Sequence, residues 1–83
     1  MDNRTIKIVC FAGLRKYFGA ETSVVVEQEA SYATVIDKLI AIKPEAKEVL
    51  SNCRIAVNEA FVPMDEELKE TDTFYLIPPS SGG

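Results

Sequence analysis

The sequence contains no histidine, and its two cysteines, Cys10 and Cys53, lie far apart and form no Cys-x-x-Cys pair. Because protein zinc sites use mostly cysteine and histidine ligands, this inventory excludes a zinc site and any catalysis by histidine. Walker-type glycine loops and Gly-x-Gly-x-x-Gly motifs are also absent, so the chain has no nucleotide-binding motif. We therefore expect no metal and no cofactor bound by this chain, and we interpret both cysteines as small apolar residues.

Long apolar runs and clusters of basic residues are missing too. No run approaches the roughly 20 residues that span a bilayer, and Met1-Asp2-Asn3-Arg4 lacks the layout of a signal peptide. The net charge of −4 and the pI near 4.7 argue against a nucleic-acid binder, which needs clustered Lys and Arg. We expect a cytoplasmic protein without a membrane or nucleic-acid partner. The acidity favours partners with basic grooves, although mild acidity for solubility alone is the simpler interpretation.

The composition is sufficient for one small globular domain. Of 83 residues, 47% are hydrophobic and 27% are charged, which is close to the average for soluble domains. A domain of this size buries only about 60% of the surface that its unfolded chain exposes. We expect one compact core and no deep catalytic cleft.

A hydrophobic period of two or a run of β-branched residues, both typical of β-strands, recurs along the chain. The segments concerned are residues 5–11, 23–28, 54–58, 61–62 and 73–77. Residues 13–19 are bounded by glycines, and the spacing of Leu14 and Phe18 predicts one helical turn there. Asn58-Glu59-Ala60 is predicted to be a turn, and Pro63 is predicted to end the short strand.

One long helix is predicted in the middle of the chain. Thr34 is the predicted N-cap, with Asp37 at the third helical position. Apolar residues then follow at helical spacing, namely Val35, Ile36, Leu39, Ile40 and Ile42. Pro44 cannot continue the helix without losing a backbone hydrogen bond, so residues 45–50 are predicted to form a separate short helical segment.

The order of strands and helices predicts an α+β domain in which the helix crosses one face of the sheet. Residues 1–77 form this domain, and residues 78–83 have no side chain that could anchor them in a core. We expect this tail to project into solvent.

Strict alternation along the strands also predicts which side chains face the helix. The side chains predicted to face the helix are Ile6, Ile8, Cys10, Ile55, Val57, Phe74 and Leu76. Those predicted on the opposite face are Val9, Phe11, Ala56, Tyr75 and Ile77, with Phe61 if Val62 points inward. No second layer covers this set, so we interpret it as an interface, with packing of some members under loops as the alternative.

Four short motifs of the sequence occur together in one known family. They are Phe11-Ala12-Gly13-Leu14-Arg15 through Gly19, Thr34-Val35 through Leu39-Ile40, Ala56-Val57-Asn58, and Ile77-Pro78-Pro79-Ser80-Ser81-Gly82-Gly83. With these motifs the chain resembles the family of small, sulfur-carrying subunits of molybdopterin synthase. The resemblance runs from about Ile6 to Gly83. One departure is Thr71-Asp72, where the family often has Gly-Asp; we expect a changed turn type there and no changed function.

The resemblance implies a ubiquitin-like β-grasp fold, a mixed sheet of four to five strands with one main helix across one face. It also implies that the chain is a non-catalytic, sulfur-donating subunit whose active-site residues lie on its partner. An E1-like enzyme, which uses ATP, would adenylate the carboxylate of Gly83. A sulfur donor such as a cysteine desulfurase or a rhodanese would then form a thiocarboxylate. The large synthase subunit, in a heterotetramer, would use this sulfur to build the dithiolene of molybdopterin.

The same resemblance assigns the site residues. Gly83 carries the reaction, and the segment expected to enter a partner's channel is Pro78, Pro79, Ser80, Ser81 and Gly82. Phe11, Phe61 and Ile77 match the positions by which the family docks its partners. Tyr75 joins them on the face of the sheet predicted to lie opposite the helix. For Arg15, three roles stay open: pairing with partner carboxylates, anchoring the tail, or no role beyond a solvated surface arginine.

Two other functions remain open at this point. The chain could carry sulfur for another product, such as thiazole, a thiolated tRNA base or an amino acid, because the partner enzyme chooses the acceptor. It could also be a ubiquitin-like modifier whose Gly83 forms isopeptide bonds with lysines. All three functions begin with activation of the same terminal carboxylate.

Overall fold

The structure is a computed structural model and describes residues 3–79. Five strands are present in this range: β1 (Asn3–Cys10), β2 (Glu21–Glu27), β3 (Arg54–Val57), β4 (Ala60–Val62) and β5 (Thr73–Ile77). The helical segments are a 3-10 helix (Ala12–Leu14), α1 (Arg15–Phe18), α2 (Tyr32–Ile42), a second 3-10 helix (Pro44–Ala46) and α3 (Lys47–Ser51). All of the predicted elements are present, and their boundaries shift by a few residues.

The strands form one mixed sheet in the order β2-β1-β5-β3-β4. The first and last strands of the chain, β1 and β5, lie side by side and run parallel, whereas every other neighbouring pair is antiparallel. In the parallel pair Cys10 lies beside Leu76, so both strands end at the same edge of the sheet. This architecture confirms the predicted α+β, ubiquitin-like β-grasp fold.

The core lies between α2 and one face of the sheet. Tyr32, Val35, Ile36 and Leu39 of α2 are buried, as expected for a helix that packs one apolar face on a sheet. All seven residues that alternation assigned to the inner face are buried, together with Val24 and Val26 of β2. Within residues 3–79, no helix is long and apolar enough to cross a membrane.

The predicted start of the main helix is wrong. The N-cap is Ser31, which has an extended backbone and whose side-chain oxygen accepts a hydrogen bond from the Thr34 N–H at 3.3 Å. Thr34 therefore takes the third helical position that was assigned to Asp37. The helix starts earlier because Tyr32 is buried and its ring packs edge-on against that of Phe74, with centroids 5.3 Å apart.

The other end of α2 also departs from the predicted apolar face. Ile42 has the helical spacing of a core residue, yet 55% of its surface is exposed. It is the last residue of α2, and Lys43 has already left the helical conformation before the second 3-10 helix begins at Pro44. Pro44 breaks the helix as predicted, and the segment after it contributes Ala46 and Leu50 to the core.

The Thr71-Asp72 turn before β5 is held by an arginine from β1. The guanidinium of Arg4 donates to the backbone oxygens of Lys69 and Thr71 at 2.7 and 3.2 Å, and to the Asp72 carboxylate at 2.6 Å. Within residues 3–79, the non-glycine residues with positive φ are Ala12, Asn58 and Glu59, so Thr71 is not in the left-handed conformation that would favour glycine. Asn58 and Glu59 form the predicted turn between β3 and β4.

We expect Leu39→Ala to lower the free energy of unfolding by about 2–5 kcal/mol, because Leu39 is fully buried under the sheet. Ile42→Ala, in the same helix, serves as the matched control and should lower it by less than about 1 kcal/mol. Urea unfolding followed by circular dichroism measures both values. Equal losses in the two variants would contradict the observed orientation of α2.

Candidate functional site

The side of the sheet opposite α2, here called the open face, carries a continuous row of apolar side chains. Strand register places Val9 beside Tyr75, Tyr75 beside Ala56, and Ala56 beside Phe61. Phe11, just after β1, stacks on Tyr75 with ring centroids 5.9 Å apart. The row crosses four of the five strands, because residues that are paired across neighbouring strands point to the same face.

These side chains remain accessible in the isolated chain. Phe61 is 60% exposed and Tyr75 is 42% exposed, whereas Val9, Phe11, Ala56 and Ile77 are half-buried. Val62 packs against the core, which fulfils the condition under which Phe61 was predicted to point outward. The predicted placement of the set is confirmed, and its role as an interface stays a prediction.

The C-terminal arm leaves from the middle of this sheet. Strand β5 ends at Ile77, and the groove that receives Pro78 and Pro79 is also lined by Asn52, Arg54, Phe61 and Ile77. The predicted channel-entering residues beyond Pro79, namely Ser80, Ser81 and Gly82, lie outside the described residues, as does the predicted reactive Gly83. The structure thus defines the base of the arm and what surrounds it.

Arg15 is exposed beside the same edge of the sheet. Its Nε donates to the backbone oxygen of Cys10, the last residue of β1, at 3.2 Å. Because β1 and β5 are parallel and end together, this bond holds the guanidinium at the edge from which the arm departs. No carboxylate lies within 4.0 Å of Arg15 in the described part of the chain. Its pairing with partner carboxylates and its anchoring of the tail both stay predictions.

One residue at the base of the arm was not predicted. Arg54 begins β3, pairs in register with Ile77, and places its guanidinium carbon 5.5 Å from the centroid of the Phe61 ring. The sequence could have placed Arg54 on this face. Arg54 and Ala56 are two positions apart in the same strand, so their side chains point to the same side of the sheet.

The two cysteines lie in the core. Both are buried and free, and the Sγ of Cys53 donates a hydrogen bond to the backbone oxygen of Val49 at 3.1 Å. Burial raises the pKa of the Cys53 thiol to about 11, with a smaller contribution from nearby Cys10. Burial likewise raises the pKa of Cys10, and the charge of Arg15 partly opposes this rise. Residues 3–79 contain no group of three or more potential metal-ligating side chains.

Most of the domain and the segment that follows it match a known family. The family model described as the ThiS family matches residues 8–83. The molybdopterin synthase sulfur carrier subunit of Chlamydomonas reinhardtii is 35% identical over 81 residues, which cover 94% of this chain and 98% of that protein. This chain belongs to the ThiS family. The resemblance to the small sulfur-carrying subunits of molybdopterin synthase is thereby confirmed.

Solved structures of related proteins agree with this family. The putative molybdopterin converting factor subunit 1 of Pyrococcus furiosus has a TM-score of 0.76 and 27% identity, with 92% of this chain and 98% of that chain covered. Small archaeal modifier protein 1 of Haloferax volcanii also has a TM-score of 0.76, at 19% identity and the same coverage. A chain in the complex of subunits 1 and 2 of the Helicobacter pylori molybdopterin-converting factor has a TM-score of 0.58 at 23% identity, covering 96% of this chain and all of that chain. The latter two show a shared fold alone.

We expect neither thiol of this ThiS-family domain to react with a disulfide reagent at pH 8 while the chain is folded, because the thiolate is the nucleophile and both side chains are buried. The unfolded chain in guanidinium should react at both positions. The absorbance of the thiolate that the reagent releases measures how many thiols have reacted in the folded and in the unfolded chain. Rapid reaction of a folded thiol would contradict the burial of both side chains.

The raised pKa of Cys53 also predicts how stability depends on pH. The ordinary value of 9.0 applies to the unfolded chain, and the value of about 11 to the folded one. Between these values the folded state keeps its proton while the unfolded state loses it, so the free energy of unfolding should fall as pH rises. Urea titrations across this interval measure the fall. It should be smaller in Cys53→Ala, and an equal fall in both proteins would contradict the assignment.

We expect Phe61→Ala to change the free energy of unfolding by no more than about 1 kcal/mol, because most of its ring is already in water. Phe74→Ala, in contrast, removes a ring that is 2% exposed and should lower that free energy by about 3–5 kcal/mol. Thermal unfolding compares the two variants. A larger loss for Phe61→Ala would show that the open face belongs to the core.

Proposed function

We propose that this chain is the sulfur carrier subunit of molybdopterin synthase and that it carries the sulfur as a thiocarboxylate on Gly83. The observation that carries the proposal is the relationship to the Chlamydomonas reinhardtii sulfur carrier subunit, which covers 94% of this chain at 35% identity. The family match also continues through the final Gly82-Gly83.

The chemistry follows from the weak reactivity of a carboxylate. The Gly83 carboxylate is a poor acyl donor, because its oxygen is a poor leaving group. In the proposed first step it attacks the α-phosphate of ATP in an E1-like activating enzyme, which releases pyrophosphate and leaves an acyl-adenylate. This chain has no nucleotide-binding motif, so the partner supplies the ATP site.

Sulfur then replaces the adenylate. A persulfide sulfur of the donor, such as a cysteine desulfurase or a rhodanese, attacks the Gly83 carbonyl carbon and displaces AMP. A protein thiol next attacks the donor cysteine's sulfur in the resulting acyl disulfide. The sulfur–sulfur bond breaks, which leaves the thiocarboxylate on Gly83 and a disulfide between the attacking thiol and the donor cysteine. The buried thiols of Cys10 and Cys53 are poorly suited to this step, so we assign it to a partner.

The arm has the length and composition to deliver this group. Extended at 3.3–3.6 Å per residue, the six residues from Pro78 to Gly83 reach roughly 20 Å. Pro78-Pro79 restricts the first part of the arm, which lowers the entropy lost when it enters a channel. Glycine at 82 and 83 has no Cβ, so the last two residues can pass through a channel that is too narrow for residues with side chains.

The open face is the surface we assign to partner recognition. Its apolar row lies beside the base of the arm, so one protein can cover Phe61 and Tyr75 while it receives the terminus. We propose the large synthase subunit and the activating enzyme as alternate occupants. The Helicobacter pylori protein of the same fold is in complex with a second subunit of its converting factor, which supports the first of these partners.

Intact-mass measurement tests the proposal. After incubation with the activating enzyme, ATP and a sulfur source, the full chain should gain about 16 Da as one oxygen is replaced by sulfur. A chain that lacks Gly83 should show no gain and should not support molybdopterin formation. Higher-mass conjugates in place of the small gain would indicate protein modification and contradict the proposal.

Glycine substitutions give a matched comparison. Gly82→Trp should abolish sulfur transfer, whereas Gly13→Ala should retain it, because a Cβ at Gly13 meets nothing within 4 Å. Both variants should melt close to the parent temperature, since Gly13 does not belong to the core cluster and Gly82 lies in the tail that was predicted to have no core contacts. Full sulfur transfer by Gly82→Trp would contradict the proposed passage of the arm through a narrow channel.

A further inference from the structure

Arg54 lies at the junction of the open face and the C-terminal arm. It is exposed, it pairs in register with Ile77, and it lines the same groove as Pro78 and Pro79. Phe61, over which its guanidinium lies, has the largest exposed fraction among the exposed large hydrophobic side chains of the described residues. A partner that covers Phe61 therefore also covers Arg54.

The contact with Phe61 leaves the polar groups of Arg54 available. A guanidinium carries five N–H donors that point outward in its plane, while attraction to an aromatic ring uses its charge. Within residues 3–79, the Arg54 side chain donates no hydrogen bond and lies within 4.0 Å of no carboxylate. Phe61 can thus hold the guanidinium in place while the N–H groups bind another molecule.

The surroundings of Arg54 contrast with the charge of the whole chain. The net charge is −4, with 13 acidic and 9 basic residues. The residues that line its groove are nevertheless Asn52, Phe61, Ile77, Pro78 and Pro79, and none of these is acidic. The base of the arm therefore carries one positive charge, and no acidic residue lines its groove.

Burial of this pair by a partner creates a requirement for charge. Covering Phe61 removes water from Arg54, and a buried guanidinium without a counter-charge is strongly unfavourable. A carboxylate matches the planar donors of arginine in geometry as well as in charge. The same desolvation strengthens the attraction between the guanidinium and the ring.

We propose that Arg54 is a specificity-determining contact for the large synthase subunit, which places an Asp or Glu carboxylate against its guanidinium and an apolar pocket over Phe61. This proposal rests on the proposed function, because the identity of the partner comes from there. It adds the partner's chemistry at one position: an acidic residue beside the entrance that receives the arm.

Binding of the full chain to the large subunit of the same organism tests this contact by calorimetry. Arg54→Glu should weaken binding at least about tenfold, because it places two carboxylates together. Arg54→Gln should weaken it less and should reduce the dependence of binding on salt between about 50 and 300 mM, because the attraction that salt screens is lost with the charged pair. A Lys substitution of the facing acidic residue in the large subunit should restore binding to Arg54→Glu.

Lys38→Glu is the matched control. Lys38 is exposed on α2, away from the open face, and its substitution changes the net charge by the same amount. Binding should stay within about threefold of the parent, since distant surface charges are largely screened. Thermal unfolding of Arg54→Glu should show a folded domain.

The outcomes separate this proposal from the proposed function. Equal weakening by Arg54→Glu and Lys38→Glu, or no weakening by either, would overturn the Arg54 contact while the proposed function stands. Tighter binding of Arg54→Gln would also overturn it, and would indicate that Arg54 holds the chain's own C-terminal carboxylate. A parent chain that does not bind the large subunit would overturn the proposed function and this contact with it.

Discussion

The parallel pairing of β1 with β5 determines where the C-terminal arm begins and which residues surround its base. Hydrogen bonds of both neighbouring strands hold β5 in the interior of the sheet, so the arm begins from a rigid position. The pairing also brings Phe11 and Arg15, which follow β1, to the edge where β5 ends. Residues from opposite ends of the sequence thereby surround the base of the arm. A partner that binds this edge of the sheet is therefore next to the point from which the arm extends.

A second constraint is that one long helix covers one face of a five-stranded sheet. Helix α2 and the short helical segments bury the inner face, and Phe74 and Ile55 on that face are almost fully buried. The opposite face has no such layer within the described residues, and Phe61 and Tyr75 keep much of their surface in water. In a larger domain a second layer would bury such side chains, whereas here they leave an apolar surface beside the arm.

The sequence was sufficient for the strands because side chains alternate strictly, which fixes the inner and outer sets once one residue is assigned. It was insufficient for the ends of α2. Ser31 and Thr34 are both good N-caps, and the burial of Tyr32 against Phe74 decides between them through a contact distant in the sequence. For the site, the alternation of side chains placed Phe61 and Tyr75 on the correct face. The importance of Arg54 became evident only from its contact with the ring of Phe61, which comes from a different strand. The assignment of Gly83 as the reactive residue stays a prediction from the motif and the family match.

The acidic net charge of the domain and the positive charge of Arg54 at the base of the arm act over different distances. Exposed charges are screened beyond about 8–10 Å at physiological ionic strength, so the net charge of −4 influences mainly the approach of a partner. That charge favours a partner whose channel is basic, and such a channel also suits an anionic terminus. In the contact we propose for Arg54, its guanidinium acts later, at contact distance, where water has been removed and the charge needs a partner. A partner with a basic channel and an acidic residue at its entrance satisfies both conditions, whereas a uniformly basic surface would leave Arg54 facing like charge.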